Sequence, residues 1–402
     1  MGGVLEILAL IPARGGSKGL PGKNLERVGG VPLVARSVLH ARASAPIGRV
    51  VVSTDDVAIA EVARRAGAEI VWRPAALAGD TCTTESAVRH ALDELAGSGY
   101  SPDLVALLQC TSPFRATGQL DAAIAAFRER GCDSMLSVAP FHHFIWGPRP
   151  GGGYLARNYD PARRPRRQEM SERWLETGSF YLFRRSLFDA TGSRLGGHVE
   201  VFAVAEHEAL EIDDADDLAR ARAQLARRGD DLPLPVAPLQ WLVLDVDGTL
   251  TDGAMYYGED GAELKRFDTR DGLGIARWRA AGGKVAFVTG ERSEAARRRA
   301  NKLQIDHLAL GVRDKAAELA KLRLATGLGP AAFAAMGDDA NDLPMVGNVG
   351  LFAAPSSAQP EVLAVADVVT RAGGGHGAAR ELIDQLLRGG ALAQAQRPIR
   401  AA

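Results

Sequence analysis

The 402-residue chain is long enough for two domains, and its 46% hydrophobic and 24% charged content is that of a folded protein. A formal net charge of −1 gives no electrostatic reason to bind nucleic acid or an anionic membrane, so we expect neither partner. The three cysteines show no CxxC pairing, and no segment reaches the ~18 uninterrupted apolar residues of a membrane helix. We therefore predict a cytoplasmic protein with reduced thiols.

Short apolar strands alternate with helical patterns through the first half of the chain. Strands are predicted at LEILALIP, RVVVST, EIVWR and DLVALLQCTSP, and helices near PLVARSVLHARA and VAIAEVARRAG. This alternation predicts an α/β fold with a largely parallel sheet, whose ligands bind at the carboxyl ends of the strands. After a last helix at ADDLARARAQLARRG, a proline-rich segment without helical periodicity predicts a linker at residues 229–239.

The alternation restarts at Trp241 and predicts a second α/β domain over residues 240–402, after a first domain of residues 1–228. Its strands are predicted at WLVLDVDG, KVAFVTG, HLALG and AAFAAMGDD, and its helices at GLGIARWRAAG, SEAARRRANKL and KAAELAKLRLATG. A hairpin is predicted at MYYGEDGAELKRF, turning at residues 259–261. Each half is therefore expected to have its own sheet and its own core.

A glycine-rich and basic loop, IPARGGSKGLPGKN, follows the first strand directly. Glycines let backbone N–H groups approach a phosphate chain, and Arg14, Lys18 and Lys23 can neutralise its charge. The loop therefore predicts a triphosphate site, with a basic surface loop as the alternative interpretation.

This loop is similar to the signature of the CMP-acylneuraminate (sialic acid) synthetases. Further segments that resemble theirs follow in the same order over residues 1–228, namely VVSTDD, RPAALAGDTCTT, LLQCTSPFR, RRQEM with ETGSFYLF, and EIDDADDL. The resemblance implies a Rossmann-like nucleotidyltransferase domain whose substrates are CTP and a nine-carbon 2-keto sugar acid of the sialic acid type.

The resemblance also implies roles for individual residues. Arg14, Lys18 and the catalytic Lys23 would bind the CTP phosphates. Arg73, Thr84 and Gln109 would line the cytidine and the sugar junction, and Arg167 and Gln168 would face the acidic sugar. Asn24 would also bind substrate. Glu211 and Asp213 would bind Mg²⁺, and carboxylates two residues apart at a strand end can share one such ion. The family usually has two aspartates at these positions and asparagine where Thr177 stands, which leaves the identity of the sugar acid open.

One basic run, RRPRRQ, lies at residues 163–168. Because the chain is near neutral and no aromatic residues interleave these arginines, we expect the run to meet an acidic small molecule and not nucleic acid. A solvated loop is the alternative for this run, and a charge at a helix N-terminus is the alternative for Glu211.

A second group of polar residues begins with DVDGT, where Asp245 and Asp247 follow an apolar strand. One carboxylate can attack phosphorus while the other exchanges protons with the leaving group, provided that a cation reduces their repulsion. The segments VTGE, RDK and GDDAND then supply a hydroxyl, an ammonium and further carboxylates. Taken singly, each of these residues is more often part of a turn or a helix cap.

The ordered set resembles the haloacid dehalogenase (HAD) superfamily of aspartyl-phosphate phosphatases. With a β-hairpin in place of a large cap, it is similar to the subgroup that acts on 3-deoxy-octulosonate 8-phosphate. The resemblance implies that Asp245 is the nucleophile, that Asp247 is the general acid and base, and that Thr289 and Lys315 contact the phosphoryl group. It also implies that Asp245, Asp338 and the backbone of Asp247 bind Mg²⁺, with Asp342 in the second coordination sphere of the ion. Arg270 and Asp271 would contact the substrate. In this subgroup the MYY hairpin is usually a tetramer contact, so we expect a homotetramer formed through this domain.

Together the two resemblances predict consecutive reactions: hydrolysis of a nonulosonate 9-phosphate, then activation of the free sugar acid with CTP to give the CMP-sugar and pyrophosphate. Two alternatives remain open. In the first, the second domain is a non-catalytic tetramerisation module, against which its intact motif residues argue. In the second, the sugar is 3-deoxy-octulosonate or a legionaminic or pseudaminic relative, although SKGLPGKN resembles the sialic acid branch.

Overall fold

The computed structural model describes residues 5–79, 81–166, 168, 172–228, 232, 238–259 and 263–392. Within these ranges the chain forms a seven-stranded sheet in its first half and a six-stranded sheet in its second half. Helices pack on both sheets, so the predicted α/β class with two Rossmann-like halves is confirmed. Among the described helices, none combines the length and the apolar character that crossing a membrane requires.

Over its described residues, the first half contains eleven strands and six α-helices. The strands are β1 (Ile7–Pro12), β2 (Arg27–Val28), β3 (Val31–Pro32), β4 (Arg49–Thr54), β5 (Glu69–Trp72), β6 (Leu104–Leu108), β7 (Ser134–Pro140), β8 (Trp146–Pro148), β9 (Tyr154–Ala156), β10 (Trp174–Arg184) and β11 (Val199–Ala203). The helices are α1 (Leu33–Arg42), α2 (Val57–Arg65), α3 (Thr84–Gly97), α4 (Gln119–Arg130), α5 (Arg185–Thr191) and α6 (Ala215–Arg228).

The large sheet of this half has the strand order β11-β7-β10-β6-β1-β4-β5. Every pairing is parallel except those of β10, which runs antiparallel to both β6 and β7. Strand β1 is a continuous apolar run because both of its faces are covered: Ile7 and Ala9 belong to the core on one side, and Leu8 and Leu10 to the core on the other. The carboxyl ends of β1, β4 and β6 therefore meet at one edge of a buried sheet.

The part of the second half that the structure describes contains eight strands and five α-helices. The strands are β12 (Trp241–Leu244), β13 (Tyr256–Tyr257), β14 (Glu263–Leu264), β15 (Lys284–Thr289), β16 (His307–Leu310), β17 (Phe333–Met336), β18 (Leu351–Ala354) and β19 (Val368–Val369). The helices are α7 (Thr269–Ala280), α8 (Glu294–Leu303), α9 (Lys315–Thr326), α10 (Pro360–Val365) and α11 (Ala378–Arg388).

The sheet of the second half has the order β16-β15-β12-β17-β18-β19, and all of its pairings are parallel. Alternate residues of β12 again face different cores, with Leu242 and Leu244 on one side and Val243 on the other. The predicted hairpin is present as the antiparallel pair β13 and β14, in which Tyr256 pairs with Leu264. Residues 260–262 of its turn lie outside the described residues.

The two halves share an interface at which the β2–β3 turn meets the edge strand β19. Val31, Ala35 and Leu39 of the first half belong to the same apolar cluster as the core of the second half. The Arg27 guanidinium donates to the carbonyl oxygens of Ala366 at 2.6 Å and of residue 363 at 3.0 Å, near the end of α10. Because these carbonyls lie at a helix end, Arg27 satisfies acceptors that the helix itself leaves without a donor.

The predicted linker, residues 229–239, is described only at residues 232, 238 and 239. Leu232 and Leu239 are buried in the cluster that the two halves share. The domain boundaries at residues 228 and 240 stay a prediction.

Candidate active sites

A cavity of about 550 Å³ opens at the carboxyl edge of the first sheet. Its lining includes these residues of the predicted site: Arg14, Lys18, Lys23, Asn24, Arg73, Thr84, Gln109, Glu211 and Asp213. They come from the β1 loop, from the ends of β5 and β6, from the start of α3 and from the segment before α6. The fold therefore brings together residues that lie up to about 200 positions apart in the sequence, as parallel α/β sheets do at their ligand sites.

The glycine-rich loop is held against the carboxylate segment of this cavity. Lys23 Nζ lies 3.1 Å from Asp213 Oδ1, and Asn24 Nδ2 donates to the carbonyl oxygen of Arg14 at 2.9 Å. A Cβ on Gly19 would lie 2.4 Å from the carbonyl oxygen of Asp213, so glycine is required for this approach. The loop thus contributes three predicted phosphate ligands, Arg14, Lys18 and Lys23, to the lining of the cavity.

Arg73 directly follows β5, and its side chain is held against the end of the neighbouring strand β4. Its guanidinium donates to the backbone oxygen of Ser53 at 2.7 Å and to the Ser53 hydroxyl at 3.2 Å, and burial lowers its pKa. Thr84 begins α3, whose N-cap is the neighbouring Thr83. Arg73 is therefore held by hydrogen bonds within the fold, and the backbone of Thr84 by its place in the first turn of α3.

Gly178 lets two predicted ligands approach the sheet. It has a φ of +63°, and a Cβ there would lie 1.9 Å from Glu211 Oε1 and 2.7 Å from Gln109 Oε1. Any other residue at this position would have to displace one of these side chains. The neighbouring Thr177 is buried and its hydroxyl donates to Ser137 Oγ at 2.8 Å, so this hydroxyl is engaged within the sheet.

Glu211 and Asp213 form a local excess of negative charge. Burial raises the pKa of Glu211, and the Asp213 carboxylate raises it further. Two hard oxygen donors in an electronegative setting, beside cationic side chains that suit phosphates, are the donor set that Mg²⁺ prefers. The residues present therefore fit the predicted metal, although binding there stays a prediction.

The predicted sugar-acid ligands of the basic run are only partly described. Arg167 lies outside the described residues, and Gln168 is exposed. Their roles stay predictions, as do those of the other residues around this cavity.

A second cluster lies at the carboxyl edge of the second sheet, around Asp245. Lys315 Nζ contacts Asp245 Oδ1 and Asp342 Oδ1, each at 2.6 Å, and all three side chains are buried. Oxygen atoms of Asp245, Asp338 and Asp342 lie within 4.8 Å of one another. The fold therefore assembles the residues that DVDGT, RDK and GDDAND contribute separately.

The position of Asp338 is set by its neighbours. Thr249 Oγ1 donates to Asp338 Oδ1 at 3.1 Å, and the backbone N–H of Asp338 donates to Asp342 Oδ2 at 2.9 Å. Gly248 has a φ of +83°, and a Cβ there would lie 1.9 Å from Asp338 Oδ2. Glycine in DVDGT is thus needed both for the backbone turn and for the approach of Asp338.

The charges of this cluster are not balanced by protein groups alone. Burial and the Asp342 carboxylate raise the pKa of Asp245, and burial with Asp342 raises the pKa of Asp338 to about 6. Burial opposes the charge on Lys315, but Asp245 and Asp342 outweigh it and raise the lysine pKa. A divalent cation among these oxygens would remove the excess negative charge, so the donor set fits Mg²⁺.

The carboxylate of Asp247 lies apart from the three-carboxylate cluster. Thr289 Oγ1 donates to Asp247 Oδ2 at 3.3 Å, and Lys265 Nζ lies 2.5 Å from Asp247 Oδ1. Sequence reasoning missed Lys265 because it identified motif residues at strand ends, whereas Lys265 follows the hairpin strand β14. The cation in ELKRF was visible in the sequence, but only the fold of the hairpin brings it to Asp247.

The two predicted substrate contacts from TRDG differ in position. The Arg270 guanidinium is exposed and donates to the carbonyl oxygen of His376 at 2.8 Å. Asp271 is buried, and its Oδ1 accepts from the backbone N–H of Arg380 at 2.8 Å, near the N-terminus of α11. Because α11 packs on α7, this bond joins two helices, and contact of Asp271 with substrate stays a prediction.

Each half of the chain matches a known protein family. The Cytidylyltransferase family profile matches residues 8–143, and the haloacid dehalogenase-like hydrolase profile matches residues 311–382. N-acylneuraminate cytidylyltransferase A of Danio rerio is 31% identical over 389 residues, which cover 95% of this chain and 89% of that protein.

The second half has relatives of its own. The 3-deoxy-D-manno-octulosonate 8-phosphate phosphatase KdsC of Yersinia pestis is 40% identical over 158 residues, which cover 39% of this chain and 84% of that protein. The solved structure of the 3-deoxy-D-manno-octulosonate 8-phosphate phosphatase of Moraxella catarrhalis, in complex with magnesium ion, phosphate ion and KDO, is 34% identical. Its alignment covers 38% of this chain and 87% of that chain, with a TM-score of 0.37. The chain is an enzyme of the N-acylneuraminate cytidylyltransferase family whose C-terminal part is a phosphatase of the haloacid dehalogenase-like hydrolases.

Proposed function

We propose that the first site joins a sialic acid-type nonulosonic acid to CTP, giving the CMP-sugar and pyrophosphate. The observation that carries this proposal is the cavity in which cationic side chains of the glycine-rich loop face Glu211 and Asp213. Relatives that span most of this chain are N-acylneuraminate cytidylyltransferases, which supports the sialic acid class of substrate.

In this reaction the anomeric hydroxyl of the sugar acid attacks the α-phosphorus of CTP, and the bond to the β-phosphate breaks. Arg14, Lys18 and Lys23 neutralise the triphosphate and the pyrophosphate that leaves, which lowers the barrier as negative charge moves onto the leaving group. Glu211 and Asp213 would hold Mg²⁺, which supplies further charge stabilisation when bound. Arg167 and Gln168 bind the carboxylate of the sugar acid.

The second site hydrolyses the 9-phosphate of the same sugar acid. Asp245 attacks phosphorus, Asp247 protonates the sugar oxygen that leaves, and Thr289 and Lys315 hold the phosphoryl oxygens. Asp245, Asp338 and the Asp247 backbone would hold Mg²⁺, which offsets phosphoryl charge when bound. Similarity to 3-deoxy-octulosonate 8-phosphate phosphatases supports a terminal phosphate on a 2-keto sugar acid as the substrate class.

The two reactions are consecutive. A nonulosonic acid that is made from a hexose 6-phosphate and phosphoenolpyruvate carries a 9-phosphate, which is removed before activation with CTP. One chain with both sites supplies the two activities in equal amounts. The free thiols of Cys82, Cys110 and Cys132 are compatible with the cytoplasmic location that we propose for both steps.

A panel of substrates tests this function with the full chain. We expect CTP-dependent pyrophosphate release with N-acetylneuraminate, 2-keto-3-deoxynonulosonate or legionaminate, and little with 3-deoxy-octulosonate. We expect Mg²⁺-dependent phosphate release from the 9-phosphate of the acid that is activated best. Preference of both sites for 3-deoxy-octulosonate and its 8-phosphate would replace the proposed sugar.

A homotetramer through the second half is part of the proposal. The hairpin exposes large apolar side chains: Met255 is 39% exposed, Tyr256 46%, Tyr257 71% and Leu264 61%. Exposed apolar side chains grouped on one element favour burial against another subunit. Sedimentation of the full chain, compared with a Tyr257→Lys variant, measures whether this surface assembles the protein.

A further inference from the structure

Lys265 brings a second buried ammonium to the phosphatase site. Its side chain is 0% exposed, and its Nζ lies 2.5 Å from Asp247 Oδ1 and 3.5 Å from Glu263 Oε1. An ammonium removed from water is costly unless carboxylates pair with it, so this arrangement restricts where the lysine and both carboxylates can lie. The ion pair between Lys265 and Asp247 therefore connects the end of the hairpin to the DVDGT loop.

The two buried lysines of the site, Lys265 and Lys315, form ion pairs with different carboxylates. Lys315 contacts Asp245 and Asp342, whereas Lys265 contacts Asp247. The other oxygen of Asp247 accepts from Thr289 Oγ1 at 3.3 Å. Both oxygens of the Asp247 carboxylate therefore have a donor, from two different elements, and these donors restrict its rotamer.

We propose that Lys265 is a positioning residue that holds the Asp247 carboxyl group for proton transfer to and from the leaving group. This inference rests on the phosphatase function proposed for Asp247. Asp245 forms a bond to phosphorus while the bond between phosphorus and the sugar oxygen breaks, and Asp247 gives that oxygen its proton. Water oxygen then attacks phosphorus, Asp247 takes a proton from the water, and the aspartyl–phosphorus bond breaks to release phosphate. Lys265 keeps its own protons throughout.

The role of Lys265 predicts a dependence on the leaving group. An alkoxide needs a proton as it departs, whereas p-nitrophenolate is stable enough to leave without one. Loss of correct positioning therefore slows hydrolysis of a sugar or alkyl phosphate much more than hydrolysis of p-nitrophenyl phosphate. A purely structural lysine would reduce both rates by the same factor, and a lysine that binds the phosphoryl group would raise KM for both substrates.

The test uses the full chain with Mg²⁺ and the variants Lys265→Met and Lys265→Arg. For Lys265→Met we expect kcat on an alkyl or sugar phosphate to fall about 100-fold and kcat on p-nitrophenyl phosphate to fall less than about fivefold. Lys265→Arg keeps a buried cation and is expected to recover part of the loss. Arg266→Met is the matched control, because Arg266 is the next residue along and its side chain is 47% exposed.

Cytidylyltransferase activity of the same chain reports whether each variant is folded, and it should stay unchanged. Equal loss on both phosphate esters, a change confined to KM, or wild-type kinetics in Lys265→Met would overturn the role of Lys265 while leaving the phosphatase function intact. Wild-type protein that hydrolyses neither ester would instead overturn the phosphatase function and this role with it.

Discussion

The backbone N–H of Val369 donates a 2.9 Å hydrogen bond to the carbonyl oxygen of Gly30. This bond joins the edge strand of the second sheet to the turn between β2 and β3, a few residues after Lys23 and Asn24 of the first cavity. Arg65 adds an ion pair to Asp367 at 3.1 Å beside it. The two halves therefore pack closely at this turn, which covers an otherwise unpaired sheet edge.

This interface predicts that Gly30→Ala destabilises the protein more than an ordinary glycine replacement. Gly30 has a φ of +81°, and an added Cβ would lie 2.0 Å from the carbonyl oxygen of Val369. Gly99→Ala is the matched control, because Gly99 has a φ of +84° with nothing within 4 Å of its Cβ position. We expect losses in the free energy of unfolding of about 1 kcal/mol for Gly99→Ala and about 3 kcal/mol for Gly30→Ala.

Urea unfolding of both variants measures the difference. Equal losses in the two variants would mean that the approach of Gly30 to Val369 contributes nothing beyond the backbone conformation. A larger loss in Gly30→Ala should come with earlier unfolding of both halves, since the replaced contact lies between them.

Asp245→Asn is predicted to abolish phosphate release. The amide keeps the shape of the side chain but cannot attack phosphorus as a carboxylate does. Asp339→Asn is the control, because Asp339 is an exposed neighbour of the cluster that caps a 3-10 helix, and asparagine caps equally well. Phosphate release with each variant, alongside CMP-sugar formation, is the measurement. Phosphatase turnover retained by Asp245→Asn would contradict the nucleophile assignment.

Lys23→Ala is predicted to reduce CMP-sugar formation and to leave phosphate release intact, the reverse of Asp245→Asn. The variant lacks a positive charge that neutralises the triphosphate, and Asp213 loses the ammonium that lies 3.1 Å from it. CMP-sugar formation should therefore fall at least about 100-fold. Asp213→Ala should act in the same direction through loss of a metal ligand. Phosphatase activity should persist in both variants. Parallel loss of both activities in folded protein would contradict two separate sites.

The sheets could be predicted from the sequence because their strands are short apolar runs that end in polar loops. Such runs are required where both faces of a strand are buried, as for residues 7–12 and 241–244. The antiparallel direction of β10 could not be predicted, because an apolar run carries no information on strand direction.

Most motif residues of both sites follow predicted strands, and the fold groups them at the sheet edges, although their roles stay predictions. Glu211 and Asp213 were expected at a strand end, but they lie in the irregular segment before α6. The contact of Lys265 with Asp247 could not be predicted, since it depends on how the hairpin folds back over the sheet. The Gly30–Val369 contact joins residues more than 300 positions apart and depends on packing between the halves. The hydrogen bond from the backbone of α11 to Asp271 could not be predicted either, because it is a tertiary contact without a local sequence signal. Contact of Asp271 with substrate stays a prediction.

The carboxylate cluster predicts that the effect of Mg²⁺ on stability depends on pH. The pKa of Asp338 is raised from 3.8 to about 6, and that of Asp245 is raised as well. In metal-free protein the folded state therefore keeps protons that the unfolded chain releases between about pH 4 and 6, so these groups contribute less stability as the pH rises through that window. Mg²⁺ binds the deprotonated carboxylates and competes with these protons.

Added Mg²⁺ should accordingly raise the Tm of the second half more at about pH 7.5 than at about pH 5. At a concentration of about 100 times Kd, binding adds about 2.7 kcal/mol to the free energy of unfolding at the higher pH. Differential scanning calorimetry of wild-type protein and Asp338→Asn measures the effect, and the variant separates this site from the one at Glu211 and Asp213. A Tm increase that is equal at both pH values, or one that Asp338→Asn retains in full, would show that the cluster around Asp245 does not hold the ion.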